Sequence, residues 1–161
     1  MKPVSNKPMQ PEVALKRLSD TCARREICEQ DALKKLYQWQ VPEEEQAKIM
    51  AQLVQYGFID NERYAKAYAE DKMKYNRWGA RKVEMMLRSK GIDDDIISAA
   101  IEEASDDDDQ AETLKKLLEE KSRSLRNETD PYKKKQKLLR FAISRGFDYG
   151  DVMDILDDWE N

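Results

Sequence analysis

Residues 90–95 read Lys90-Gly91-Ile92-Asp93-Asp94-Asp95. A glycine after a basic residue is a helix stop, because glycine enters the left-handed region without a Cβ clash. The three carboxylates that follow suit the positive end of a new helix dipole. Arg145-Gly146-Phe147 followed by Asp148 and Asp151 repeats the pattern. Gln40-Val41-Pro42 followed by Glu43-Glu44-Glu45 is a looser copy, with proline supplying the first-turn signal in place of a glycine stop. The flanks travel with the turns: Ala32, Leu36 and Val41 match Val83, Leu87 and Ile92, and these match Leu138, Ala142 and Phe147. Successive copies lie 51 and 55 residues apart, the mark of an internal repeat.

Working outward, apolar residues recur with helical spacing at Leu15, Leu18 and Cys22, at Val83, Met86 and Leu87, and at Val152, Ile155, Leu156 and Trp159. No segment alternates as a strand would. With only 5 Gly and 5 Pro in 161 residues, composition agrees. The expected fold is all-α, an elongated tandem array of three three-helix modules. The expected helices span 12–26, 29–39 and 43–56; 61–76, 79–90 and 94–104; and 107–126, 131–145 and 149–160. The expected organisation is a flexible N-terminal arm over 1–11 and modules over 12–57, 58–105 and 106–161. A unit of ~50 residues has little core of its own, so an elongated monomer with flexible module angles is expected.

Several function classes drop out. There is no histidine, which removes Ser-His and Cys-His catalysis and the commonest metal ligand. The two cysteines, Cys22 and Cys28, have neither disulfide-framework nor zinc spacing; Cys22 falls on an apolar stripe and Cys28 near a helix junction. No apolar run approaches the ~18–20 residues that span a bilayer. Met1 to Pro11 holds three prolines and no apolar stretch, so it reads as an arm and not a signal peptide, and the protein is expected in the cytoplasm. Asp106 to Asp109 reads as a solvated linker and helix start, since successive helical residues point about 100° apart and cannot share one ion. No enzyme activity, metal or cofactor is expected.

Charge is polarised along the chain. Lys and Arg total 29 against 33 Asp and Glu, a net charge of −4 that hides basic segments. Residues 62–91 carry nine basic and four acidic side chains, 92–112 none and ten, 113–145 eleven and four, and 146–161 none and six. The densest feature is Lys72-Met73-Lys74-Tyr75-Asn76-Arg77-Trp78-Gly79-Ala80-Arg81-Lys82. Cations interleaved with aromatics suit a nucleic acid or acidic protein surface. Tyr75 and Trp78 can equally be core residues closing a corner between helices. Lys133-Lys134-Lys135, just after the Asp130-Pro131 helix start, suits a phosphate-contacting face, with a plain exposed helix face as the alternative, and Lys133, Lys134 and Lys137 are the contact face expected if the middle unit does not supply it. As a free contact face, Arg77, Arg81 and Lys82 are expected to tolerate reversal to Glu with stability nearly unchanged.

Tyr56-Gly57-Phe58-Ile59-Asp60-Asn61-Glu62-Arg63-Tyr64-Ala65, followed by Trp78-Gly79-x-Arg81-Lys82-Val83 and Leu87-x2-Lys90-Gly91-Ile92, resembles the middle module of the RecX family of bacterial recombination regulators. Ala23-Arg24-Arg25-Glu26 with Leu33 and Leu36 is similar to the family's opening. The resemblance runs from about residue 12 to 158 and is strongest over 53–101. It implies a non-enzymatic protein of three tandem three-helix modules that binds RecA in the groove of its filament on single-stranded DNA and suppresses ATP hydrolysis and strand exchange. The family's basic concave face would correspond to Arg63, Lys72, Arg77, Arg81, Lys82, Arg88 and Lys90, and with the charge pattern added the candidate RecA- or DNA-contacting residues are these and Arg24, Arg25, Lys74, Tyr75, Trp78, Lys133, Lys134 and Lys137. Bare single-stranded DNA is expected to bind weakly and with steep salt dependence. The alternative is a helical DNA-binding or transcriptional regulator using 61–90 as a helix-turn-helix. Against it, residues 82–90 carry cations and apolar groups, which suit phosphates better than bases.

Overall fold

The computed structural model describes residues 7–160, the side chains of residues 107 and 108 excepted. Among these residues the chain forms nine helices and no strand: α1 (Pro11–Arg24), α2 (Glu29–Gln38), α3 (Glu43–Gln55), α4 (Asn61–Lys74), α5 (Ala80–Ser89), α6 (Asp94–Ala104), α7 (Asp107–Ser124), α8 (Pro131–Ser144) and α9 (Tyr149–Glu160). Every expected helix is present with its ends displaced by two residues at most. Residues 1–6 of the expected arm lie outside the described residues. Of the remainder, Met9 N–H donates to the Trp39 carbonyl at 2.9 Å, and the Met9 side chain packs on the first core.

Local chemistry sets the helix ends. Pro11 and Pro131 occupy the first turns of α1 and α8, where a missing N–H costs nothing. Asp60 caps α4, accepting from the N–H groups of Glu62 and Arg63, and Asp130 caps α8, accepting from Tyr132 and Lys133.

The repeated turn has one geometry in all three modules. Gly91 (φ 73°) and Gly146 (φ 98°) are left-handed, and in the first module Gln40 (φ 57°) takes the same conformation. In each copy the next residue donates its N–H back to the helix just ended: Val41 to Leu36 at 3.1 Å, Ile92 to Leu87 at 3.3 Å, Phe147 to Ala142 at 3.2 Å. This is a Schellman-type closure. The apolar pairs that align in sequence are therefore the two ends of one hydrogen bond. In the first copy Pro42 stands at the start of α3, and the left-handed stop is Gln40, without glycine's freedom.

Buried apolar residues gather into three cores. Ala14, Leu18, Ala32, Leu36, Ile49 and Leu53 are central to the first, Ala65, Ala69, Val83, Leu87, Ile97 and Ala100 to the second, and Leu114, Leu118, Leu138, Ala142, Val152 and Leu156 to the third. Helix packing is strongest inside each triplet, most of all between α4 and α6. The exchange between units is limited but specific. Cys28, just before α2, is fully buried in the second core, while Cys22 is half-buried against the first. Burial pushes the Cys28 thiol above its ordinary range, so it is held as a small apolar group.

Candidate partner-binding surface

Each joint between modules is made by the N-terminal end of one middle helix meeting the C-terminal end of the next. At the first joint, Arg63 Nε donates to Glu26 Oε1 at 2.7 Å, while its Nη2 reaches the carbonyls of Gly57 at 3.0 Å and Phe58 at 3.2 Å. The Glu26 hydrogen bond raises the Arg63 pKa further. The Glu29 N–H, an orphan donor at the start of α2, finds Asn61 Oδ1 at 3.0 Å. Gln30 Nε2 donates to the Ser89 carbonyl at 2.9 Å, and Lys90 Nζ meets both Asp31 oxygens at 3.1 and 3.2 Å. Ala23-Arg24-Arg25-Glu26 and Asp60-Asn61-Glu62-Arg63, which sequence reading treats as separate signatures, thus face one another.

The second joint joins backbone to backbone. The Gly79 N–H donates to the Arg145 carbonyl at 2.8 Å and the Arg81 N–H to the Gly146 carbonyl at 3.1 Å, so the start of α5 caps the end of α8. Arg77, in a left-handed conformation (φ 56°), reaches across to Glu120 of α7 at 3.1 Å, and Arg81 pairs with Asp148 just before α9.

Between the joints Trp78 sits at the corner of α4 and α5. It is half-buried on the second core, edge-on to Tyr68 at 6.3 Å between centroids, with Lys82 Nζ 4.2 Å and Lys72 Nζ 5.3 Å from its ring centre. Tyr68 in turn stacks on Tyr64 at 5.9 Å, whose phenol burial pushes up to about 12. Trp78 therefore has the corner-closing position, while Tyr75, 80% exposed, does not. Each module holds a half-buried ring under two cations, the others being Trp39 under Arg17 and Lys35 and Phe141 under Lys121 and Arg145.

The fifteen sequence-predicted residues do not form one face. Arg63, Arg77, Arg81 and Lys90 are engaged at joints. Lys74 pairs with Glu70, Arg88 with Glu84 and Asp94, and Lys137 with Glu128, whose carboxyl it holds below the usual range. Lys72 lies over Tyr68 and Trp78 and 3.6 Å from Asp71, and Lys82 covers Trp78. Among the described residues, Arg24, Arg25, Lys133 and Lys134 are exposed or half-exposed with no carboxylate at ion-pair distance.

One expectation changes. Reversing Arg77 and Arg81 to glutamate would bring a new carboxylate against Glu120 and another against Asp148, so the triple reversal perturbs the joint as well as any contact face. Sequence reasoning misses Glu26, Asp31, Glu120 and Asp148 as partners of the predicted cations. The only signal for Asp148 is its place after the third glycine turn, where the helix dipole alone accounts for it.

Among the described residues, no helix is long and apolar enough to cross a membrane, and no group of three or more acidic or cysteine side chains is placed to hold a metal ion. Two family models match: "RecX, second three-helix domain" over residues 60–101 and "RecX, third three-helix domain" over residues 107–156. The chain is 34% identical over 98 residues to a regulatory protein RecX of Clostridium perfringens (strain 13 / Type A), covering 60% of this chain and 45% of that protein. It is 32% identical over 120 residues to that of Clostridium botulinum (strain Alaska E43 / Type E3), covering 74% and 55%. It thus spans about half the length of the curated relatives it matches. A crystal structure of regulatory protein RecX superposes with a TM-score of 0.81 at 28% identity, covering 91% of this chain and 71% of the other. RecX from Lactobacillus salivarius superposes at 0.79 with 20% identity, covering 93% and 96%, a likeness of fold.

Proposed function

Because the chain belongs to the RecX family of regulatory proteins, we propose that it modulates RecA recombinase by binding, lying along the groove of the RecA filament on single-stranded DNA. The observation that carries this reading is the array itself, with cations free of ion-pair partners among the described residues on two separate modules, Arg24 and Arg25 beside the first joint and Lys133 and Lys134 at the start of α8. A jointed array with separated cationic patches suits a repeating acidic lattice, where weak contacts at several points add through effective concentration. Its action is to favour the filament state it binds over the state needed for turnover. No residue is assigned to catalysis.

The DNA-regulator alternative fits less well. A recognition helix offers its N-terminal turn to base edges, whereas the first turn of α5 is engaged by the Arg145 and Gly146 carbonyls. A salt series of binding to labelled single-stranded DNA, bare or coated with RecA, tests the reading. Filament binding that persists at a salt concentration where bare DNA is released is expected. Equal, salt-resistant affinity for both would overturn it.

A further inference from the structure

The two joints differ in kind. At the first, side chains of Gln30, Asp31, Arg63 and Lys90 carry most contacts, and a Cβ added to Gly91 would meet only the end of a side chain, Gln30 Oε1 at 2.7 Å. At the second, a Cβ on Gly79 would lie 2.4 Å from the Gly146 oxygen, 2.5 Å from its carbonyl carbon and 2.7 Å from the Phe147 nitrogen, all backbone atoms. A Cβ on Gly146 would lie 2.5 Å from Lys82 Cβ and 2.6 Å from Lys82 N. Gly79 has φ −78° and ψ 163°, a conformation open to any residue. What the position requires is the absence of a side chain, not glycine's freedom.

From this contact we infer that Gly79 and Gly146 are positioning residues: they lock the second and third modules into one rigid body whose angle sets the spacing of the cations offered to the partner. The inference rests on the filament-binding reading for its functional half and replaces the expectation of flexible angles at both joints. Backbone atoms cannot swing aside as a glutamine can, so the second joint has one closed geometry. Its two direct backbone hydrogen bonds point the N–H groups of Gly79 and Arg81 at the α8 end, and both are lost if the ends separate. The flanking pairs, Arg77–Glu120 and Arg81–Asp148, are solvent-exposed and contribute little by themselves. A fixed spacing matters for a periodic target because the ordering cost is met before binding, and a loose joint would add that cost to every encounter.

The test uses the full chain with spin labels on cysteines placed at two exposed sites, Met85 of α5 and Tyr132 of α8, in a Cys22→Ser, Cys28→Ala background. The distance distribution and the inhibition of RecA ATP hydrolysis are read together. The parent should give one narrow distance. Gly79→Ala should broaden and shift it while far-UV helicity stays, and should weaken inhibition by about tenfold or more, as expected for a lost preorganised contact. Arg77→Gln with Arg81→Gln, which leaves both glycines in place, should keep the narrow distance. That variant keeps the idea testable even if Gly79→Ala fails to fold. A narrow distance in Gly79→Ala, a broad one in the parent or in the Arg77→Gln, Arg81→Gln variant, or a broadened Gly79→Ala that inhibits as well as the parent would each overturn the inference. A parent with a narrow distance and no effect on RecA would overturn the filament reading and the positioning role with it, with the rigid joint itself standing.

Discussion

Gln40→Gly is the substitution whose effect follows most directly from the repeat. Gln40 occupies the left-handed position that Gly91 and Gly146 fill in the other modules, with φ 57° against 73° and 98°. Holding an L-residue there costs roughly 1–2 kcal/mol, while glycine returns about 0.5–1 kcal/mol of that through the greater entropy of its unfolded chain. The Gln40 side chain is exposed, so little packing is lost. The net expectation is stabilisation by about 0.5–1 kcal/mol, or about 1–4 °C in midpoint for a cooperative chain of this size. Thermal unfolding followed by circular dichroism at 222 nm reads it. The reciprocal Gly91→Gln should lose more than about 0.5–1 kcal/mol, because it adds the same net left-handed cost and also crowds Gln30 Oε1. If Gln40→Gly were neutral or destabilising, the strain would be absent and the equivalence of the three turns would fail.

Other outcomes follow from the same contacts. Trp78→Ala should cost about 1–3 kcal/mol in urea denaturation, less than the ~3–5 kcal/mol of a fully buried ring, because the indole is half-buried on Tyr68 and the second core; unchanged stability would make it a surface residue. Tyr64 should ionise near pH 12, read by absorbance at 295 nm as the step that disappears in Tyr64→Phe. A folded-state pKa raised from 10 to about 12 gives stability that is full below pH 10 and lost as pH climbs towards 12, and Tyr64→Phe should remove that part of the alkaline decline. A double-mutant cycle of Arg63→Gln and Glu26→Gln should show coupling of about 0.5–1 kcal/mol that shrinks in high salt, since the pair is only partly shielded; zero coupling in low salt would remove it from the joint.

The fold is legible because one local device, a left-handed turn closed by an apolar pair, occurs three times with its flanks, and local devices leave local sequence marks. Even the divergent copy aligns correctly: Pro42 marks the start of α3 as its sequence suggests, while the left-handed stop, which no glycine announces, falls on Gln40. The site is legible only as composition. Whether a surface cation is free or paired depends on carboxylates far along the chain: Arg77 meets Glu120 43 residues away, and Lys90 meets Asp31 59 residues away. No periodicity reports such pairs. Gly79 likewise reads as part of a family signature and a helix start, while the reason for it is the backbone of Gly146, reached only by folding.

Titration of the protein into pre-formed RecA filaments on single-stranded DNA, with ATP hydrolysis followed continuously, tests the central claim most directly. A fall in hydrolysis that saturates near stoichiometric binding and weakens as salt rises is expected of a multivalent, cation-dependent groove binder. Hydrolysis unchanged at stoichiometric and higher protein, under conditions where the filament is intact, would contradict it.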